Sequence, residues 1–157
     1  MTGAVFFVRE PAANYEALPL LLVDSSVLAA IYFAEPGGAE VAERIAGHRL
    51  AAPEIVDYEI ANVGMNKVRR KVLPAAAAAA AIADFLELRL DRHAVAPDDA
   101  FDTALRHDLS AYDAAYLHLA LTLGVPLVTL DQKLAQAARS ALARAATDRT
   151  KQQGDPT

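Results

Sequence analysis

Leu20-Leu21-Leu22-Val23 is a short, unbroken apolar run that ends on Asp24. A strand with water on one face alternates apolar and polar residues. A strand apolar at every position is buried on both faces, which is the situation in a parallel sheet covered by helices. Pro126-Leu127-Val128-Thr129-Leu130 repeats the pattern near the other end, preceded by Gly124 and closed by Asp131. Between these two runs the pattern turns helical and back again. Ser25 to Phe33 reads as a helix stopped by Glu35-Pro36-Gly37-Gly38, and a second helix runs from about Ala39 to Ala46. Arg49 to Ala52 is a short strand. Pro53 suits the first turn of a third helix that reaches about Val72. Pro74 starts an alanine-rich fourth helix to about Leu90, and His93 to Ala96 is a weak strand ended by Pro97. Helices then run from about Asp98 to Arg106, from Ser110 to Leu123, and onward from Asp131. Strands alternating with helices predict an α/β domain, a short parallel sheet of about four strands with right-handed crossovers and helices on both faces.

The 157 residues are enough for one domain with its own core. Roughly 36 of them are alanine, so the apolar fraction of 54% reflects small helix formers more than bulky core residues. The absence of cysteine excludes disulfides, thiolate zinc sites and cysteine nucleophiles, and suits a reducing compartment, with the cytoplasm as the default expectation. No apolar stretch reaches the length of a membrane span, and the Val5 to Val8 run has no basic lead of the secretory kind. A net charge of −5 argues against binding nucleic acid through a general basic surface, but allows a local patch or metal-assisted binding. Residues 1–19 read as an N-terminal extension, 20–146 as the domain, and 147–157, which lack apolar anchors, as a disordered tail.

In a parallel sheet the binding crevice lies at the carboxyl ends of the strands, where strand order reverses. Asp24 and Asp131 fall there by position. Glu59 sits within the third helix, and Asp113 in the first turn of the helix before the last strand. Each has a purely structural alternative: Asp24 and Asp131 as helix N-caps, Asp113 as part of a capping box with Ser110, Glu59 as a solvated helix residue. Together they suggest convergence on one crevice. Clustered carboxylates repel, and a divalent cation is the natural neutraliser. Oxygen ligands without Cys or His select Mg²⁺ or Mn²⁺, and such clusters support metal-assisted phosphodiester hydrolysis. His48, His93, His107 and His118 show no metal-ligand spacing. Asn62 lies on the same helical stripe as Glu59 and could fix its carboxylate. Ser25, just after Asp24, and Thr129, two residues before Asp131, could support the site by hydrogen bonds. Lys67, Arg69, Arg70 and Lys71 form the densest basic cluster. They are either a phosphate rail or the cations that a helix carboxyl end favours in any case.

Four segments, Leu21-Leu22-Val23-Asp24-Ser25-Ser26-Val27-Leu28, Tyr58-Glu59-Ile60-Ala61-Asn62, Leu109-Ser110-Ala111-Tyr112-Asp113-Ala114-Ala115-Tyr116 and Leu127-Val128-Thr129-Leu130-Asp131-Gln132-Lys133-Leu134, stand in order along the chain. They resemble the successive motifs of PIN-domain ribonucleases, most closely the VapC-type toxins of bacterial toxin–antitoxin pairs. The resemblance covers about Leu20 to Ala146. It implies a single PIN-like nuclease domain in which Asp24, Glu59, Asp113 and Asp131 bind Mg²⁺ or Mn²⁺, with Asn62 and Thr129 in support. It also implies an RNA substrate, a homodimer, and a cognate antitoxin that inserts a segment into the acidic groove.

Two other readings stay open at this point: a housekeeping RNA-processing nuclease without an antitoxin, and a non-catalytic binding module on the same fold. A haloacid-dehalogenase-type phosphotransferase needs a second aspartate two residues after the first, and position 26 is Ser.

Overall fold

Leu22 and Val23 point to opposite faces of their strand, and neither is exposed to solvent, so the first strand is buried on both sides. The computed structural model describes residues 17–153. Along them run β1 (Leu20–Val23), α1 (Ser25–Tyr32), α2 (Gly38–Ile45), β2 (Arg49–Pro53), α3 (Val56–Arg69) and α4 (Ala75–Leu86). They are followed by β3 (Leu90–His93), α5 (Pro97–His107), α6 (Ala111–Leu123), β4 (Leu127–Val128) and α7 (Gln132–Gln153). The strands form one sheet in the order β3-β2-β1-β4, parallel throughout. The chain therefore steps outward from β1 to β2 to β3, then returns across the sheet to place β4 on the other side of β1. Right-handed crossovers in opposite directions put α1 to α4 on one face and α5 and α6 on the other. The helix packing agrees: α1 touches α2, α3 and α4, whereas α6 touches α5, α7 and the strands β1, β2 and β4. Strand order reverses between β1 and β4, and the carboxyl ends at such a reversal are where a parallel sheet leaves room for a binding crevice.

Several boundaries differ from the sequence expectation, each for a local reason. Pro53 closes β2 opposite His93 instead of opening α3; at a strand end its missing N–H costs no central ladder bond. The third strand is Leu90–His93, not His93 to Ala96. It is a sheet edge, and its Asp91 and Arg92 are held by partners, Asp91 by Arg49 at 2.5 Å and Arg92 by Asp57 at 2.9 Å. Paired charges replace the apolar run that hydropathy would detect. Accordingly α4 ends at Leu86 rather than near Leu90. β4 is two residues long because Thr129 and Leu130 leave the ladder to bond side chains of the β1–α1 junction. The boundary expected at Thr147 falls inside α7, which continues to Gln153. Most of the 1–19 extension lies outside the described residues.

Two features fix how α1 to α4 pack. Gly64 faces Phe33 and Ile82 with little room to spare, and Gly38 lets α2 start against α1: a Cβ there would stand 2.2 Å from the Ala30 carbonyl oxygen. That neighbour is backbone and cannot rotate away. Gly38→Ala is therefore expected to destabilise the fold by about 1–3 kcal/mol, the usual range for forcing extra volume into packed structure. A thermal melt of the variant at the wild-type midpoint would rule the close approach out.

Candidate active site

Asp24 leaves β1 directly into α1, and it is 4% exposed. Its backbone N–H donates to the Val128 carbonyl at 3.2 Å, the last rung joining β1 to β4. Oδ1 accepts from the Val27 N–H at 3.2 Å, capping α1, and from Ser26 Oγ at 2.6 Å; Oδ2 accepts from Thr129 Oγ1 at 2.7 Å. The two hydroxyls pass the connection onward. Ser26 Oγ accepts from the Leu130 N–H at 3.0 Å, and Thr129 Oγ1 from the Asp131 N–H at 2.9 Å. Burial pushes the Asp24 carboxyl above its ordinary pKa; the hydrogen bonds from Ser26, Thr129 and Val27 pull it back, and the charge of Asp113 raises it further.

Glu59 reaches the same crevice from α3, whose first turn is anchored to the sheet. Arg92 Nε of β3 donates to both oxygens of Asp57, at 2.9 Å each, and its guanidinium lies 5.5 Å from the Phe85 ring centroid. The buried Tyr116 hydroxyl donates to Glu59 Oε2, and the Ser25 hydroxyl bonds the same carboxyl group. Burial raises the Glu59 pKa. The Tyr116 and Ser25 bonds oppose the rise, and the charges of Asp24 and Asp113 add to it. Tyr116 is itself driven upward by burial and by the Glu59 charge, so its phenol remains a donor across the physiological range. Asp113 sits one turn before Tyr116 on α6. Ser110 Oγ donates to Asp113 Oδ2 at 2.8 Å and accepts from its N–H at 3.1 Å, a capping box with Asp in the acidic slot.

Asp24, Glu59 and Asp113 thus lie within one another's electric field, brought there by α1, α3 and α6. Asp131 joins differently. Its backbone is tied to Thr129, but its Oδ1 accepts from the Leu134 N–H at 2.7 Å and caps α7.

The supporting hydroxyls divide between the acids: Ser25 bonds Glu59, and Ser26, which the sequence reading did not single out, supports Asp24. The bonds to the Glu59 carboxyl come from Tyr116 and Ser25, while Asn62 is exposed one turn further along α3. Periodicity could have flagged Tyr116, three positions after Asp113 on the same helical face. Ser26 carried the weaker signal of a hydroxyl just inside a capped helix. The basic cluster also divides. Lys67 is held by Glu35 at 2.5 Å and lies 5.8 Å from the Phe33 ring centroid, a packing role rather than a free phosphate contact. Arg69, Arg70 and Lys71 are exposed at the carboxyl end of α3, roughly 15 Å along the helix from Glu59.

The donor set fits a hard divalent cation: carboxylate oxygens only, with two of the three groups shifted upward by burial and mutual repulsion. Among the described residues, no three acidic or histidine side chains are drawn into a closed ligand cluster. Each acid is held by its own partners instead: Asp24 by Ser26 and Thr129, Glu59 by Tyr116 and Ser25, and Asp113 by Ser110.

A family model described as the PIN domain matches residues 21–140, which contain all four acids. The chain belongs to the PIN-domain family. Among curated proteins, this PIN domain is 36% identical over 122 residues to Ribonuclease VapC3 of Pyrobaculum aerophilum, covering 74% of this chain and 92% of that one. It is 32% identical over 117 residues to Ribonuclease VapC12 of Mycobacterium tuberculosis, covering 74% and 91%. The crystal structure of PAE2754 from Pyrobaculum aerophilum superposes with a TM-score of 0.63 at 25% identity, over 85% of this chain and 98% of that one.

The raised carboxyl of Asp24 sets the pH dependence of the metal-free PIN domain. A folded-state pKa raised above the ordinary aspartate value contributes stability that is complete below that ordinary value and is lost as pH rises through the folded-state one. Asp24→Asn removes the charge and keeps the shape. In chelator at neutral pH the variant should melt above wild type, and the gap should close as the pH is lowered. Parallel melting curves at every pH would contradict this.

Proposed function

We propose that this PIN domain is a divalent-cation-dependent endoribonuclease that hydrolyses RNA phosphodiester bonds as the toxin of a type II toxin–antitoxin pair in the cytoplasm. The observation that carries the proposal is the placement of Asp24, Glu59 and Asp113, mutually repelling, at the carboxyl ends of the strands where the sheet order reverses. The relatives named VapC ribonucleases, matched over nine-tenths of their own length, support the same reading. Asp24, Glu59 and Asp113 hold Mg²⁺ or Mn²⁺, and Asp131 contributes from the adjoining loop. The bound cation supplies Lewis-acid activation of the attacking water and neutralises charge developing on the phosphate and the leaving oxygen. Ser26 and Thr129 keep Asp24 oriented, and Ser110 orients Asp113.

The RNA is gripped by a small surface, since only Arg69, Arg70 and Lys71 of the basic cluster are exposed. Affinity then comes largely from the metal and from a few phosphate contacts, which favours a narrow target. The acidic crevice attracts a basic segment of the antitoxin. Exposed Tyr58, Phe101, Leu105 and Tyr112, between 58% and 80% accessible, supply apolar surface that suits a homodimer. Among the described residues no helix is long and apolar enough to cross a membrane.

The test is cleavage of a structured RNA pool with Mg²⁺, with Mn²⁺ and with chelator, beside Asp113→Asn. Cutting should require the cation, and the variant should lose at least roughly a hundredfold, the upper end of what losing a mere supporting residue costs. Wild-type cleavage by Asp113→Asn would remove that residue from the site. Cleavage in chelator would remove the cation.

A further inference from the structure

Glu59 is the one glutamate of the acidic group, presented from the first turn of α3 by a longer, more flexible side chain than an aspartate's. It stands in the repulsive field of Asp24 and Asp113, and repulsion of that kind turns a flexible carboxylate away unless something holds it. Two hydroxyls from two other helices are bonded to it: Tyr116 Oη of α6, donating to Oε2, and the hydroxyl of Ser25 at the first position of α1. Ser25 also bonds the Tyr116 hydroxyl, so the three side chains form one connected group. The Tyr116 ring is a rigid anchor. The residue is 1% exposed and packs in the main core, and among the described residues its phenol is the largest fully buried side chain.

We infer that Tyr116 and Ser25 are positioning residues, whose hydroxyls hold the Glu59 carboxylate toward the cation it shares with Asp24 and Asp113. The inference rests on the metal-binding reading proposed above and adds to it what keeps Glu59 in place. Donating hydroxyls take up one side of a ligating carboxylate, fix its rotamer and leave its remaining lone pairs to the cation, as outer partners of metal ligands do generally. Toward a carboxylate oxygen the phenol hydroxyl can only donate, as it does to Glu59 Oε2.

The test is Mn²⁺ binding by the full chain, followed through the electron-paramagnetic-resonance signal of the free ion, for wild type, Tyr116→Phe and Ser25→Ala. Melting curves in chelator report the fold. Each variant should bind Mn²⁺ roughly tenfold to a hundredfold more weakly, with cleavage recovering as Mn²⁺ is raised. A bond that serves the core alone would lower the melting temperature of Tyr116→Phe and leave its Mn²⁺ affinity at the wild-type value, which would overturn the inference. Tighter binding would also overturn it, showing that Tyr116 holds Glu59 away from the cation. If Tyr116→Phe does not fold, Ser25→Ala, at a partly exposed helix start, decides by the same criterion. If wild type itself binds no Mn²⁺, the metal-binding reading fails and the inference falls with it. Wild-type binding with unaltered variants sinks the positioning role alone.

Discussion

Burying a carboxylate costs free energy that the rest of the molecule must offset, and Asp24 is where this chain meets that cost. Its oxygens accept from the Val27 N–H and from the hydroxyls of Ser26 and Thr129, which join the end of β1, the start of α1 and the end of β4. These are the three pieces that meet where the strand order reverses. The short β4 follows from the same arrangement, because Thr129 and the Leu130 N–H are bonded to the β1–α1 junction. These bonds add to the ladder and to the packing of β4 on α6 and α7 in holding the two-residue strand against β1.

The same economy of partners extends across the crevice. Like charges gathered without a counter-ion raise one another's pKa and work against the fold. The structure contains this by giving each acid a donor of its own, so that repulsion is resisted by local hydrogen bonds instead of by separation. Stability and chemistry are therefore in tension at this site. The carboxylates proposed to hold a cation are the ones the metal-free protein must keep together against their own charges.

Packing further from the crevice serves the site indirectly. Arg92 reaches from the edge strand to Asp57 and lies over the Phe85 ring, fixing the first turn of α3 and with it the placement of Glu59 two residues on. Lys67, at the far end of α3, is committed to Glu35 and Phe33 and steadies that helix against the segment following α1. A charged residue near a proposed site is thus not automatically part of its binding surface. What it already holds decides.

Much of the fold was legible in the linear text because its signals are local. The apolar runs at β1 and β4, the stop at Gly124 and the cap at Ser110 depend on residues adjacent in sequence, and the α/β alternation follows from them. The acidic positions were legible for the same reason, standing at strand ends and helix starts. The edge strand β3 was displaced because its polar residues are satisfied by Arg49 and Asp57, which are far away in sequence. The pairing of the supporting residues with the acids was not legible for the same reason. Which serine serves which acid depends on how α1 turns on the sheet, and Tyr116 meets Glu59 only once α6 has crossed the opposite face from α3. Composition and periodicity determined the class of fold and the residues available for chemistry. The pairing of those residues was left to tertiary structure, because a hydrogen bond between side chains on different elements depends on packing angles that no local run of sequence encodes.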